Sequence, residues 1–443
     1  CLSSGRSRAR SQREEDEQVT IESSVRIDWE NKRCYVYLPW IKSPQELALR
    51  WGSKSNLRQA NHFLRKMLAK GVEDRASLTR FWDELKKRNV VTRLKDLNED
   101  LQKQIMSSAV LHFYPWNCVF KAESITTPCR MVVDSRTSGL NDHLAKGLNT
   151  LNNLQQLLIK FRGYQYIGSF DISKMYNMLY IEEAHLQYQL ILWVDQMNPE
   201  NEVEVWVMLR AIYGTISSGN QAEVAIRRGA TELEKEYPQG AYTIIHETYV
   251  DDGVPCRDDK DELNQALEEV EKILEKIGFS LKCTTVSGQK TALSEKASSD
   301  GVSIGIAGYK YEPEKDLISL AFRECNFNRI VRGTKAPNKH PVVYGEDIDE
   351  EIFPEKLTRA QCVGKLAECY DLIGLFMPLT VQGKIMARKI AYLDWAEYIP
   401  QELMKEWHEI CKKIQDVRHK KIRRCVIPST AENAKVVDLM EIH

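Results

Sequence analysis

Two spacings of apolar residues recur along this chain, and together they predict a mixture of helices and short strands. Apolar residues recur every three to four positions between 44 and 104, as in an amphipathic helix. They alternate with polar residues between 25 and 40, which predicts a hairpin. Short apolar runs near two prolines predict a small sheet at 110–133. We therefore expect an α+β fold.

The middle of the chain continues this alternation. Leucine spacing predicts a helix at 151–161, and a cap at Ser217 or Ser218 predicts another that extends to Glu236. A third, strongly amphipathic helix ends at Gly278, a residue typical of the position that follows a helix. The strands predicted after it are 279–281, 302–309 and 317–320.

The C-terminal part has a helical pattern. A polar linker that contains proline is expected at 334–357, and Thr358 and Gln361 then form the pattern of a capping box. Helices at 380–392 and 400–422 are expected to complete a helical lobe. The helix that begins at the capping box has a predicted apolar face of Cys362, Leu366, Cys369, Tyr370 and Ile373.

Two segments place aspartates at strand ends. Residues 164–171 are rich in aromatic and β-branched side chains and end in Asp171. The pentapeptide Tyr-Val-Asp-Asp-Gly at 249–253 follows an apolar run from Ala241, and its Asp-Gly step is typical of a tight turn in a hairpin. Three carboxylates on neighbouring strands would suit a pair of Mg²⁺ ions. The simpler alternatives are a solvated turn at 249–253 and helix capping by Asp171.

These segments resemble motifs of reverse transcriptases. Asp171, with Tyr176 five residues later, resembles the first metal-binding motif of that class, and 249–252 resembles the second. Two further motifs agree in order and spacing, at 130–136 and 213–221. Four motifs in this order indicate a polymerase of that class.

A more specific resemblance, to the BEL/Pao group of LTR retrotransposons, covers nearly the whole chain. The chain departs from that group at Gly219, where relatives usually carry proline, and at Ser135-Arg136-Thr137. Neither departure removes a carboxylate. The matching sequences are Leu38-Pro39-Trp40, Arg130-Met-Val-Val-Asp134, Leu140-Asn141, Asp171-Ile-Ser-Lys-Met-Tyr176 and Cys369-Tyr-Asp-Leu-Ile-Gly374.

The resemblance implies a right-hand polymerase, with an antiparallel fingers and palm sheet followed by a helical thumb or connection lobe. It implies an RNA-directed DNA polymerase that uses two Mg²⁺ ions, with Mn²⁺ as a substitute, to transfer a nucleotide from a dNTP to a primer 3′-hydroxyl. The expected boundaries are a disordered basic and polar tail at 1–17, a mainly helical extension at 18–108, fingers and palm at 109–333, the linker at 334–357 and the Pao-type helical lobe at 358–443.

The resemblance also implies roles for particular residues. Asp171, Asp251 and Asp252 are the expected catalytic metal ligands, joined by the backbone carbonyl of Ile172. Simpler roles remain open, namely core packing for Tyr176, a surface position for Arg130 and a solvated helix face for the basic run. The expected nucleotide-binding residues are Arg130, Lys121, Tyr176, Tyr213 and Gly214. The expected template and primer contacts are Tyr249, Gln221, Lys412, Lys413, Lys420 and Lys421.

Composition adds a few constraints. With 443 residues, 43% of them hydrophobic, the chain can form two or three lobes with separate cores. Its formal net charge is only −1, so nucleic acid would have to bind to local basic patches such as 412–424. Eleven cysteines without zinc-ligand spacing suit a reducing compartment. We find no apolar run long enough for a membrane span and no signal peptide.

These constraints lead to expectations about context. The expected partners are an RNA and DNA template-primer, dNTPs, and protease, RNase H and integrase domains of Pol outside this chain. The expected location is intracellular and cytoplasmic, in a retrotransposon particle, and no membrane is expected among the partners. Because the chain begins with Cys1, we interpret it as a fragment or released piece of a polyprotein.

Two other classes of protein were weighed. A retroviral-type aspartic peptidase needs an Asp-Thr/Ser-Gly turn, but Asp134-Ser135 is followed by Arg136, which disfavours a peptidase. A catalytically silent, domesticated nucleic-acid binder derived from the same element would retain the same motifs, so this alternative stays open. An acidic cluster for an RNase H site is not found after residue 425.

Overall fold

Helices and antiparallel strands alternate along the structure, which confirms the predicted α+β class. This computed structural model describes residues 11–51, 53–120, 129–290, 302–321, 343–344, 354–367, 370–418 and 420–427. The chain divides into two compact units. The first unit comprises Cys1–Asn152, Ser169–Pro255 and Lys260–Thr284, and the second comprises Asn153–Gly168, Cys256–Asp259 and Thr285–His443.

The helices have bounds that follow the apolar spacing closely in most places. None of those in the described residues is long and apolar enough to cross a bilayer. They are α1 (Gln12–Ser23), α2 (Pro44–Trp51), α3 (Ser53–Leu68), α4 (Val72–Lys87), α5 (Glu99–Met106), α6 (Leu154–Gly163), α7 (Ser218–Glu232), α8 (Pro238–His246), α9 (Lys260–Lys276), α10 (Arg359–Ala367), α11 (Met377–Lys389) and α12 (Gln401–Arg418).

The strands are short. They are β1 (Val25–Asp28), β2 (Arg33–Val36), β3 (Val91–Arg93), β4 (Trp116–Phe120), β5 (Cys129–Val133), β6 (Tyr166–Ile172), β7 (Leu179–Ile181), β8 (Leu190–Val194), β9 (Val203–Met208), β10 (Thr248–Tyr249), β11 (Asp252–Gly253), β12 (Cys256–Arg257), β13 (Leu281–Val286), β14 (Ile304–Ile306), β15 (Tyr309–Glu312), β16 (Leu317–Leu320), β17 (Val343–Tyr344), β18 (Pro354–Lys356) and β19 (Ile422–Arg423).

The first unit contains three small sheets beside the strands that carry the acids. The predicted hairpin at 25–40 is confirmed as β1 and β2, and β7 adds to β2 in parallel. The order β3-β9-β8 is antiparallel throughout. Strands β4 and β5 form the small sheet predicted from 110–133. In the second unit, β14, β15, β16 and β19 form an antiparallel sheet in that order.

A cluster of tryptophans fills the core beneath β8 and β9. Trp82 of α4 stacks on Trp193 of β8 with ring centroids 4.0 Å apart, and the edge of Trp206 lies 5.4 Å from Trp82. Trp116 of β4 lies 5.3 Å from Trp193 on the other side. Because buried aromatic rings contribute a large apolar area, this cluster anchors α4 and the β4–β5 hairpin to one sheet.

The predicted disorder of residues 1–17 is wrong for Gln12 onward, where α1 begins; residues 1–10 lie outside the described part. Ser11 caps α1 in a capping box with Glu14. Glu17 of α1 accepts hydrogen bonds from the backbone N–H groups of Lys146 at 2.9 Å and Gly147 at 3.4 Å. Burial opposes its ionisation, but these N–H groups and Arg13 lower the pKa of Glu17. Hydrophobic spacing missed this helix because two of its three buried residues are polar.

Two helices in the middle of the chain differ from the prediction. Ser217 is at the N-cap of α7, but its side chain makes no cap hydrogen bond, and the helix ends at Glu232 rather than Glu236. The apolar run from Ala241 forms most of α8, so only Thr248–Tyr249 are left for the strand before the aspartates. When a short run is apolar on all sides, its pattern does not distinguish a buried helix from a strand.

The predicted end of α9 at Gly278 is confirmed, with Gly278 in the left-handed region at φ 82°. Of the C-terminal helices, α10 and α12 are shorter than predicted, and α11 has the predicted length but begins three residues earlier. The capping box at Thr358 is present, but α10 ends at Ala367 and Tyr370 is 49% exposed. Helix α12 ends at Arg418, and Ile422–Arg423 form β19 instead.

Part of the predicted linker lies outside the described residues, as does Cys369. Within the linker, β17 and β18 pair with each other.

Cys118 and Cys129 form a disulfide between β4 and β5. The sequence did not indicate this pair, because the two cysteines are eleven residues apart and come together only in the register of this hairpin. Cys362 is a buried thiol, as expected, and burial raises its pKa to about 12.

Candidate metal centre

Three aspartates of the first unit converge at the end of β6. Asp171 lies directly opposite Asp252 of β11, and Phe170 lies opposite Gly253. Asp251 occupies the turn before β11, and its carbonyl accepts a 2.8 Å hydrogen bond from the N–H of Ile172. One carboxylate oxygen of each aspartate lies within 4.8 Å of the others, and all three residues are partly exposed. The prediction that the three acids meet is therefore confirmed in geometry.

The turn of the hairpin that carries Asp251 and Asp252 lies two residues earlier than expected. Its strands pair Thr248 with Gly253 and Tyr249 with Asp252, so the two turn residues are Val250 and Asp251. The predicted turn at Asp252–Gly253 is wrong, because both residues belong to the returning strand. A Cβ at residue 253 would overlap the ring of Phe170, so this position needs glycine for close packing.

Val250 takes a left-handed backbone conformation at φ 59°. A β-branched residue in this region costs roughly 1–2 kcal/mol. Residues held in such conformations cluster at functional sites, where the surrounding structure imposes them. Here the imposed turn directs Asp251 beside the end of β6.

The donor set suits a hard divalent cation. Like charges directly opposite one another on paired strands are destabilising, and Asp171 and Asp252 form such a pair with Asp251 close by. A cation among the three carboxylates would remove that repulsion, and carboxylate oxygens are the ligands that Mg²⁺ and related ions prefer. A second group of three such ligands does not occur in the part of the chain that the structure describes.

Two tyrosines flank the aspartates. Tyr176, in a short 3₁₀ turn after β6, meets Tyr213 edge to face with ring centroids 4.6 Å apart. Burial and the negative charge of Asp251 raise the pKa of Tyr213 to about 12, and the same two causes raise the pKa of Tyr176. Both phenols therefore stay protonated at neutral pH and can donate hydrogen bonds.

The residues expected to line the nucleotide site meet around β5. Gly214 has φ 115°, and a Cβ there would overlap the carbonyl of Val133, so this position also requires glycine. The N–H of Val133 donates to the carbonyl of Tyr213 at 3.0 Å. Arg130 lies three residues earlier on β5, and its charge opposes the rise in the pKa of Tyr213. Lys121 lies outside the described residues.

Asn141 belongs to a matching motif but has no predicted role. It contacts the loop that contains Gly214. Its side-chain amide bonds to the carbonyl of Gly214 and to the N–H of Ile216. Sequence reasoning missed this contact because it joins residues more than seventy positions apart. The only signal was the position of Asn141 within a matching motif.

The expected template and primer contacts differ in accessibility. Tyr249 is partly exposed and pairs with Asp252 across the hairpin. Gln221 is only 2% exposed, and its amide donates to the hydroxyl of Ser24 at 2.7 Å and to the carbonyl of Tyr37 at 2.8 Å. The Gln221 side chain therefore holds the β1–β2 region against α7 and is not available for a template contact.

The basic run of the second unit is mixed in character. Lys412 and Lys413 are exposed on α12, and Lys420 is exposed beyond its end. Lys421 pairs with Glu312. Arg424 is fully buried. The simple picture of a single basic helix face is therefore wrong for the last part of the run, where side chains serve the fold.

Residues 358–441 match the family model described as the Pao retrotransposon-like RNaseH-like domain. The predicted resemblance to Pao retrotransposons is confirmed. This Pao-matching segment covers only the C-terminal part of the chain, and its described residues include α10, α11, α12 and β19.

The comparisons with whole proteins are more distant. A solved structure of a foamy viral protease-reverse transcriptase in complex with double-stranded DNA is similar over 77% of this chain and 48% of that chain, with 16% identity and a TM-score of 0.47. This chain thus spans about half the length of that viral protein. None of the curated proteins compared matches.

Proposed function

We propose that this chain is the reverse transcriptase region of a Pao-type retrotransposon Pol protein. The observation that carries the proposal is the meeting of Asp171, Asp251 and Asp252 on two paired strands, in the order and spacing of the polymerase motifs. The Pao-matching segment supports the same origin for the C-terminal part. The proposed reaction is RNA-directed synthesis of DNA from dNTPs on a primer.

The proposed architecture follows a right-hand polymerase. We assign fingers and palm to residues 109–333, with the mainly helical extension at 18–108 before them and a helical thumb or connection lobe at 358–443. The β4–β5 hairpin would contribute Arg130 to the fingers, and β6 with the β10–β11 hairpin would form the floor of the palm. Protease and integrase activities would come from domains outside this chain.

The residues have distinct proposed roles. The three aspartates, with the carbonyl of Ile172, would hold Mg²⁺, which when bound supplies charge neutralisation for the triphosphate and a lower pKa for the primer 3′-hydroxyl. Arg130 would bind the triphosphate, because its planar guanidinium can donate two parallel hydrogen bonds to phosphate oxygens. Tyr176 and Tyr213 would form the wall beside the sugar, and Gly214 would let the backbone approach the nucleotide.

Primer extension tests the proposal. The full chain is incubated with a primed RNA template, dNTPs and Mg²⁺, and is compared with Asp171→Ala and Asp251→Asn. We expect extension by the wild type and a loss of at least about 10³-fold in both variants, since each removes a ligand worth several kcal/mol to the reaction. Binding of the RNA–DNA duplex should stay nearly unchanged.

A matched control separates the site from a general effect of charge. Asp96 is an exposed aspartate of the first unit, and Asp96→Ala should extend primers like the wild type. Extension that survives in Asp171→Ala would refute the assignment of the metal ligands. A wild type that binds the duplex but never extends it would support the silent, domesticated nucleic-acid binder instead.

A further inference from the structure

The side chain of Asn141 bonds to the loop at 214–216, which is more than seventy positions away in the sequence. Its Nδ2 donates to the carbonyl of Gly214 at 3.1 Å, and its Oδ1 accepts from the N–H of Ile216 at 2.9 Å. One amide therefore satisfies two backbone groups on either side of Thr215. We call this pair of hydrogen bonds the Asn141 clamp.

The loop that the clamp holds also bonds to neighbouring segments. The carbonyl of Tyr213 accepts from the N–H of Val133, and the Thr215 hydroxyl lies 3.3 Å from that of Tyr114. Gly214 has no side chain and takes φ 115°, a conformation that glycine can leave easily. The clamp thus bonds the loop backbone at Gly214 and at Ile216.

Asn141 is itself fixed, which a clamp requires. It belongs to a 3₁₀ turn, Leu140–Asp142, that begins after Gly139 in the left-handed region at φ 78°. Its own N–H donates to the carbonyl of Ser135 at 3.1 Å. The turn therefore presents the Asn141 amide in one orientation.

The chemistry of the clamp is specific to asparagine at this length. A carboxamide carries a donor and an acceptor on one short side chain. Aspartate would keep the acceptor for Ile216 but would place a second oxygen against the carbonyl oxygen of Gly214. Alanine would remove both hydrogen bonds.

We propose that Asn141 is a positioning residue that fixes Tyr213 against Tyr176 and thereby sets the discrimination between deoxyribonucleotides and ribonucleotides. The proposal rests on the proposed polymerase function for its kinetic consequence. The link is direct in the chain, since Tyr213 immediately precedes the clamped residues and meets Tyr176 at 4.6 Å. A loosened loop would let this wall beside the sugar move.

Kinetics provide the first test. KM and kcat are measured for a dNTP and for the matching rNTP with wild type, Asn141→Asp and Asn141→Ala. We expect the preference for dNTP, as a ratio of kcat/KM values, to fall roughly tenfold in Asn141→Ala and less in Asn141→Asp, with the change mainly in KM. Asn198→Asp is the control, because Asn198 is an exposed turn residue that should leave the preference unchanged. An unaltered preference in Asn141→Ala would overturn the proposal.

Hydrogen exchange gives a second readout that does not depend on activity. The Ile216 amide should exchange at least about tenfold faster in Asn141→Ala than in the wild type, while the amides of β8 and β9 should not change. Equal exchange at Ile216 would show that the clamp does not exist in solution. Faster exchange in Asn141→Ala, together with a wild type that binds the duplex but never extends primers, would uphold the clamp and refute the polymerase function.

Discussion

Two clusters of charged groups, one in each unit, are built on opposite rules. In the first unit, Asp171, Asp251 and Asp252 bring three charges of one sign together at partly exposed positions. In the second unit, Arg424 is fully buried beside Asp316, a charge of the opposite sign. The first arrangement is unfavourable for the fold alone, and the second is balanced within the fold.

The Arg424 cluster accounts for every donor of the guanidinium. Arginine has five N–H donors, and here two of them bond to the Asp316 carboxylate and three to backbone carbonyls. The three carbonyls, of Phe161, Tyr164 and Gln165, lie at the end of α6 and just before β6. The backbone N–H of Arg424 also donates a 3.0 Å hydrogen bond to the backbone carbonyl of Asp316. This cluster therefore ties the end of β19 to the end of α6 within the second unit.

The contrast separates charges that serve the fold from charges that serve a ligand. A buried charge with all hydrogen bonds made gives no reason to expect a ligand. A cluster of like charges held by a strained turn and a strand pair does give such a reason, because an added cation would offset the repulsion between the carboxylates. The comparison predicts opposite responses when one charge is removed from each cluster.

Removing the buried arginine should give the largest effect on stability. Arg424→Met would leave Asp316 and three carbonyls without their donors, and we expect a loss of about 3 kcal/mol in the free energy of unfolding. This is the lower end of the usual range, because the Asp316 side chain is 33% exposed. Thermal and denaturant unfolding measure it.

The neighbouring arginine supplies the control for this prediction. Arg423 is exposed, so Arg423→Met should change stability by no more than about 0.5 kcal/mol. The double variant Arg424→Met with Asp316→Leu should recover part of the loss, since it removes the uncompensated acid. Equal stabilities of Arg424→Met and Arg423→Met would contradict the difference drawn between the two clusters.

A buried histidine shows what happens when a titratable group is buried without a charge of opposite sign. His112 is buried, its Nδ1 donates to the carbonyl of Tyr188 at 3.0 Å, and burial lowers its pKa to about 4. The unfolded chain takes up this proton near pH 6.5, whereas the folded chain resists until about pH 4, so stability should fall as the pH is lowered through that window. The loss should reach about 3 kcal/mol.

His112→Asn isolates this contribution, because its amide can keep the donor to Tyr188 without titrating. The unfolding free energy is measured between pH 7 and pH 4.5, and the variant should show a clearly smaller decrease. Some decrease should remain, since burial also lowers the pKa of His185. Identical pH dependence in the two proteins would mean that the fold does not lower the pKa of His112.

Local signals in the sequence predicted the elements whose buried face is apolar. Helix α9 and its end at Gly278 follow from an apolar stripe and a glycine that can take positive φ. Helix α1 could not be predicted in this way, because two of its three buried residues, Glu17 and Gln18, are polar and bond to a distant loop. Helix α8 was mistaken for a strand because its run is short and apolar on nearly all sides.

The candidate site was predicted by the order of motifs rather than by periodicity. The meeting of Asp171 with Asp252 follows from that order, but the turn at Val250 and Asp251 depends on strand register, which the sequence does not fix. The Asn141 clamp and the burial of Gln221 depend on contacts between distant segments. Local sequence patterns do not indicate which distant residues will be in contact.

Removing one charge from the aspartate cluster should give the smallest effect, and the opposite sign. In EDTA, Asp252→Asn relieves the repulsion across the β6–β11 pair, so the melting temperature should rise by roughly 2 °C, equivalent to at most about 1 kcal/mol. Addition of Mg²⁺ should stabilise the wild type and stabilise the variant less, because a ligand is missing. Asp96→Asn should change neither value. A lower melting temperature of Asp252→Asn in EDTA would mean that this carboxylate stabilises the fold as Arg424 does, and the contrast between the two clusters would fail.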